Sequence, residues 1–263
     1  GVLKVKKSLP YLAVVPTTAG TGSEATIATV ITDSKTLEKY TIIDTKIMPD
    51  AAVLDPELLL GLPPDMTAYS GMDALAHAVE AYINRSNTKQ TAMLSEEAVE
   101  LIYKNLYQSY QDGNDINTRT NMQRASYFAG KAFTRAYVGN VHAMAHAVGA
   151  KYNLQHGKTV ARILPYVLEA YGETVHSKLA HLGDIAEVTE HDDSIKEKAQ
   201  KFIDSIKELN VRMDIGSTFK ELEEKDIKSL SDTAYKEANP LYPVPVIFTK
   251  SDFSSLYKEM IRE

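Results

Sequence analysis

Two hydrophobic periodicities divide the chain. Up to about residue 55 the apolar positions come in short, often β-branched runs closed by turn formers. Residues 11–15 (YLAVV) stop at Pro16, 26–32 (TIATVIT) stop at Asp33, and 39–43 and 51–54 follow. Runs of this kind read as strands. Pro56 and the GLPP stretch at 61–64 then change the regime. Beyond them apolar residues recur at intervals of three and four. That pattern predicts helices over 67–84, 91–112, 118–135, 140–152, 157–170, 175–189, 194–208, 223–237 and 251–262. Leu179, Leu182, Ile185 and Ala186 form one such stripe, and Phe202, Ile203, Ile206 and Leu209 another. Ser194 ahead of Glu197, and Ser251 ahead of Asp252, read as helix caps. The expected fold is therefore mainly α, with a β-rich part at 1–55 and a helical part at 56–263.

Composition narrows the classes of function. A 263-residue chain with 44% hydrophobic and 24% charged residues has the make-up of a soluble globular protein. A net charge of −6 argues against a nucleic-acid or anionic-membrane surface. Lys4, Lys6 and Lys7 read as a solvated strand margin. No apolar stretch is long enough to span a bilayer. Cysteine is absent, so disulfides, thiolate ligands and a cysteine nucleophile are excluded, and a reducing cytoplasm is the expected compartment.

Any metal site must then use nitrogen and oxygen, and the chain holds a matching constellation. Asp73 and His77 lie four apart in GMDALAHAVE (71–80), His142 and His146 lie four apart in VHAMAHAVG (141–149), and His156 follows in QHG (155–157). A spacing of four puts both side chains on one helix face. These stretches are otherwise small and apolar, and an unpaired imidazole or carboxylate buried there costs several kcal/mol. One shared divalent cation would satisfy them together. His146 is open between ligand, hydrogen-bond donor and proton carrier. Taken singly, a helical histidine is more often a core or surface residue, and His176, His181 and His191 are read so.

The segment TTAGTGSE (17–24) follows a strand and contains G-x-G-x-x-A at 20–25. A dinucleotide fingerprint must open a helix; here the motif opens the β-branched run 26–32. What remains is a turn with backbone N–H groups and the hydroxyls of Thr17, Thr18, Thr21 and Ser23. It suits a ribose, a phosphate or an amide, or else is simply a hydroxyl-capped turn. There is no G-x-S-x-G, and the pairs Glu96-Glu97 and Glu223-Glu224 read as solvated helix faces.

Together, PTTAGTGSE (16–24), GMDALAHAVE (71–80), VHAMAHAVGA (141–150) and QHG (155–157) resemble the iron-containing (group III) alcohol dehydrogenase family. The resemblance implies a dehydroquinate synthase-like fold, with an α/β dinucleotide-binding domain followed by a helical metal-binding domain. Residues 1–55 would be the β-rich remnant of the first and 56–263 the second, because nothing before Pro16 corresponds to the family's glycine-rich pyrophosphate loop. It implies Asp73, His77, His142 and His156 as metal ligands, and His146 as the catalytic histidine beside nicotinamide and substrate. It places Thr17, Thr18, Gly20, Thr21 and Lys39 on the cofactor. The implied metal is Fe²⁺, although the donor set also suits Zn²⁺; the implied cofactor is NAD or NADP, and the substrate a small alcohol or aldehyde. A homo-oligomer is expected, since the face towards a lost domain should be apolar. The alternatives are a non-catalytic metal-binding helical fragment and a metal-dependent hydrolase.

Overall fold

The structure, a computed structural model, describes residues 3–32 and 39–261, without the side chains at 30, 32 and 39–41. The strands are β1 (Ala13–Val14), β2 (Ala28–Thr32), β3 (Lys39–Ile43) and β4 (Ala51–Ala52). β2 and β3 are antiparallel, with Ala28 opposite Ile43. β1 and β4 are parallel, Ala13 opposite Ala51 and Val14 opposite Ala52. The strands expected at 11–15 and 51–54 are thus trimmed to two residues each, because among the described residues they pair only with one another.

The helices are α1 (Pro64–Ile83), α2 (Lys89–Gln111), α3 (Ile116–Ala136), α4 (Asn140–Tyr152), α5 (His156–Tyr171), α6 (Glu173–Ile185), α7 (Ile195–Arg212), α8 (Ile227–Ala238) and α9 (Lys250–Glu259). The molecule is mainly helical, as the 3.6-residue pattern predicts. Local chemistry sets the starts. Pro64 opens α1 at the first helical position, where its missing N–H costs nothing. Thr88 forms a capping box with Thr91, and Ser194 forms one with Glu197. At α9 the cap differs from the expected Ser251: Thr249 accepts from the Asp252 N–H, and Asp252 reaches back to the Thr249 N–H. α6 ends at Ile185, short of 189, where Glu187 takes φ 57°. α8 starts later than 223 because a short 3₁₀ turn, Glu224–Asp226, precedes it.

α1 is buried on nearly all sides and packs against α2, α3 and α5, while α4 packs against α5 and α8. Its run of small residues permits this: Ala68, Ala74, Ala76 and Ala78 are fully covered. A helix apolar on every face belongs in the centre of a core. Two glycine contacts bring the surrounding parts close. A Cβ at Gly157 would overlap the Tyr69 carbonyl oxygen, so the start of α5 lies directly on α1. Gly22, at φ 57°, would place a Cβ 2.6 Å from Gly130 Cα, so the 17–24 turn sits on α3. Gly22 N–H donates to Ser126 Oγ there. Among the described residues no helix is long and apolar enough to cross a membrane.

Candidate metal centre and cleft

α1 contributes Asp73 and His77, α4 contributes His142 and His146, and His156 is the first residue of α5. Five residues from three helices meet in one place. The ligand atoms of Asp73, His77 and His142 lie within 4.8 Å of one another, and all three side chains are buried. His142 Nε2 is 3.5 Å from Asp73 Oδ1, and His156 Nε2 is 3.4 Å from the same oxygen. The rings of His77 and His142 stack at 4.5 Å, those of His142 and His156 are 5.6 Å apart, and those of His146 and His156 stack at 5.2 Å. His156 and His146 close the group from the more exposed side.

The surroundings hold the rings in place. His77 stacks on Phe133 at 4.3 Å and its Nδ1 is 3.3 Å from the Gly20 carbonyl oxygen, so Nδ1 is the donor and Nε2 faces the group. His142 Nδ1 is 2.5 Å from Glu80 Oε2, and the other Glu80 oxygen accepts the Val141 N–H at 2.8 Å. A carboxylate or carbonyl on the far nitrogen is what orients a metal-binding histidine. His146 Nδ1 is 2.6 Å from Glu237 Oε1, which also accepts from the Tyr242 hydroxyl at 2.8 Å.

Burial drives the His77 pKa down to about 3, so its ring is neutral at pH 7. Burial also opposes a charge on His142, but the Glu80 carboxylate, with Asp73, outweighs it and holds His142 at about 10. Burial would raise Asp73, yet the neighbouring imidazoles hold its carboxyl well below the usual range. With His77 neutral, His142 carries the charge that faces Asp73 at pH 7. The donor set fits a divalent cation. Asp73 Oδ1 and His142 Nε2 are both buried without a hydrogen-bond partner among the described residues, and they face each other. Buried polar atoms are seldom left so. A cation between Asp73, His77, His142 and His156 would engage both with nitrogen and oxygen donors alone.

The group opens into a cavity of about 330 Å³. Ile27, Ile43, Phe133, Tyr137 and Val138 give it an apolar wall, and Thr21, Ser23 and Thr26 line one side. Of the residues expected on a cofactor, Thr21 lines this cavity, while Thr17 is exposed, Thr18 half-buried, and neither is part of its lining. Gly20 is buried, and its carbonyl serves His77. Lys39 begins β3; its side chain lies outside the described residues. The G-x-G-x-x-A segment opens no helix: a three-residue 3₁₀ turn, Ser23–Ala25, leads into β2. Thr21 and Ser23 hydroxyls bond each other at 3.1 Å, so part of their capacity is spent within the turn. His181 and His191 are exposed and His176 half-buried, all away from the group.

Sequence reasoning assigned no role to Glu80, Glu237 or Tyr242. For Glu80 a signal exists: it lies three residues beyond His77, on the same apolar stretch of α1. For Glu237 and Tyr242 none exists, because Glu237 meets His146 across 91 residues of chain and Tyr242 touches only Glu237 there.

Residues 67–261 match the model of the Fe-containing alcohol dehydrogenase family, C-terminal, and residues 1–56 that of iron-containing alcohol dehydrogenase. The chain is similar to alcohol dehydrogenase 4 of Saccharomyces cerevisiae, with 38% identity over 261 residues, covering 98% of this chain and 67% of that protein. It is 37% identical over 239 residues to the NADPH-dependent butanol dehydrogenase of Clostridium saccharobutylicum, covering 90% of this chain and 60% of that one. A crystal structure of 1,3-propanediol oxidoreductase superposes with a TM-score of 0.95 at 32% identity, over 99% of this chain and 69% of the other. The chain thus spans between three fifths and about two thirds of the length of these proteins.

Proposed function

Because the chain belongs to the iron-containing alcohol dehydrogenase family, we propose that it is the metal-binding part of an enzyme that interconverts a small alcohol and its aldehyde with NAD(P). In this reading Asp73, His77, His142 and His156 hold the metal, which is Fe²⁺ by family and exchangeable for Zn²⁺ by donor chemistry. Residues 56–263 form the metal-binding domain. Residues 1–55 belong to a dinucleotide-binding domain. The observation that carries the reading is the buried pair Asp73 Oδ1 and His142 Nε2, neither hydrogen-bonded among the described residues and 3.5 Å apart, beside an apolar cleft.

A divalent cation bound there supplies Lewis acidity, polarising a carbonyl oxygen and easing deprotonation of an alcohol. The chain's own residues do the rest. Phe133, Tyr137 and Val138 receive the hydrocarbon part of the substrate and exclude water from the reacting carbon. His146, with Nδ1 engaged by Glu237, takes up or returns the hydroxyl proton at Nε2. Thr17, Thr18, Gly20, Thr21 and Lys39 serve the cofactor from the β-rich side. The absence of cysteine supports a cytoplasmic enzyme. Exposed Leu9, Tyr11, Leu12, Val15 and Val53 support self-association.

The test is metal analysis of the purified protein with aldehyde-dependent NAD(P)H oxidation. It is run on the chain and on a longer form that includes the length its relatives have in addition. Stoichiometric metal that is lost in His77→Ala and His142→Ala, together with turnover in the longer form, is the expected result. Metal uptake with no turnover in the longer form would leave a metal-binding helical body and defeat the dehydrogenase reading. Hydrolysis of a phosphate or amide without nicotinamide would replace it with the hydrolase.

A further inference from the structure

The contacts of His146 extend beyond the metal group. Its Nδ1 lies 2.6 Å from Glu237 Oε1, and that same oxygen accepts the Tyr242 hydroxyl at 2.8 Å. Glu237 comes from the last turn of α8, which packs on α4, and Tyr242 from the segment that follows α8. The carboxylate can only accept, so Nδ1 must carry the hydrogen, and in the neutral ring Nε2 is the nitrogen with the lone pair. His146 and Tyr242 both line the cleft. The His156 ring, stacked at 5.2 Å, covers one face of His146. Burial and the Glu237 carboxylate push the Tyr242 hydroxyl well above its ordinary pKa, so it remains a donor to Glu237.

We propose that Glu237, itself fixed by Tyr242, is the positioning residue of His146: it sets the tautomer and the ring angle that present Nε2 to the cleft. The inference rests on the reading of His146 as the group that handles the substrate proton. An acid that orients an imidazole through its far nitrogen is a recurrent way to keep a general base in register. Stability does not explain the pair. The His146 and Glu237 side chains are 40% and 27% exposed, and a polar contact at such exposure contributes little to folding. A residue placed here for the fold alone has no need of a second donor on the same oxygen.

The experiment labels the histidine ring nitrogens of the protein and follows the low-field Nδ1–H resonance. Assignment comes from its loss in His146→Asn. The resonance is expected to vanish in Glu237→Ala and to persist, shifted upfield, in Glu237→Gln, which keeps an acceptor but not the charge. In turnover, Glu237→Ala should lower kcat by about 10- to 100-fold with KM nearly unchanged, and Glu237→Gln should recover part of the loss. Adding Glu237→Ala to His146→Asn should cost nothing further, since the second residue acts only through the first. A resonance that persists in Glu237→Ala, or losses that multiply in the double variant, would overturn the proposal. If the resonance follows these substitutions while the longer form oxidises no NAD(P)H, the positioning holds and the dehydrogenase reading is what fails.

Discussion

Glu80→Gln tests how the buried carboxylate governs metal uptake. In the metal-free protein His142 is held at about 10, so at pH 7 it carries a proton on the nitrogen that faces Asp73. A metal must displace that proton. The gap between pH 7 and about 10 corresponds to a factor of about 10³ in apparent affinity, or roughly 4 kcal/mol. Affinity should therefore rise about tenfold per pH unit between 7 and 9, with close to one proton released per metal bound. Glutamine is nearly isosteric and can still accept the Val141 N–H through Oε1. Its amide then points an N–H at His142 Nδ1, which removes the charge that raised the pKa. It also favours the tautomer with hydrogen on Nε2. Two changes follow. The pH dependence should flatten above about pH 7, because the ring is already neutral. Affinity at high pH should fall by about 10- to 100-fold, because the ring is less basic and its tautomer is wrong. Calorimetry of Zn²⁺ binding in buffers of different ionisation enthalpy counts the protons, and chelator competition at several pH values gives the slope. Release well below one proton at pH 8 by the unaltered protein would refute the reasoning. So would an unchanged slope in Glu80→Gln.

Asp73→Asn and His77→Ala should each abolish stoichiometric metal, read by elemental analysis after dialysis, while the helical circular dichroism persists. Acid should weaken the metal-free fold through His77. Its folded pKa of about 3 lies below the ordinary 6.5, so below 6.5 the unfolded chain takes up a proton that the fold refuses. Stability should decline as pH falls from 6.5 towards 3, by roughly 5 kcal/mol at most, as measured by denaturant unfolding. His142 adds no slope in that window, being protonated in both states, and His77→Leu should flatten the decline. Gly157→Ala should displace the start of α5 from Tyr69, costing about 1–3 kcal/mol in thermal unfolding and weakening metal binding through His156.

The helical body was legible because its signal is local. The i, i+4 pairs 73/77 and 142/146 predict a shared face from helix geometry alone; the structure brings Asp73, His77 and His142 together, with the His146 ring 6.0 Å from that of His142. That His156 would join them is implied by the resemblance rather than by spacing, since its position depends on how closely α5 approaches α1 at Gly157. Less was legible where pairing is long-range. Strands 11–15 and 51–54 shrink because strand length is set by partners, and a propensity run says nothing of those. The α9 cap was misplaced by two residues because Thr249 and Ser251 are both competent caps, and only the reciprocal bond with Asp252 separates them. Glu237 and Tyr242 left no trace at all: the contact of Glu237 with His146 exists only once α8 packs on α4.

The polar stripe of α1 separates what folding requires from what function requires. Asp73, His77 and Glu80 fall on one side of a helix whose other faces are sealed by alanine, leucine and valine, and they are 3%, 5% and 1% exposed. Three ionisable groups so deep are costly unless each is answered. His77 is answered by neutrality and by the Gly20 carbonyl, and Glu80 by His142 and the Val141 N–H. Both could be accounted for as devices of the fold. Asp73 is different, because its carboxylate stays ionised while Oδ1 finds no hydrogen bond, and the nitrogens nearest that oxygen stand at 3.4 and 3.5 Å. Those gaps are too long for good hydrogen bonds, and they leave the oxygen and the imidazole nitrogens around a common point. An apolar residue at 73 would serve the core better. The neighbouring imidazoles already hold that carboxylate ionised, and a cation among these side chains would bring the oxygen and the nitrogens to one centre at coordination distance.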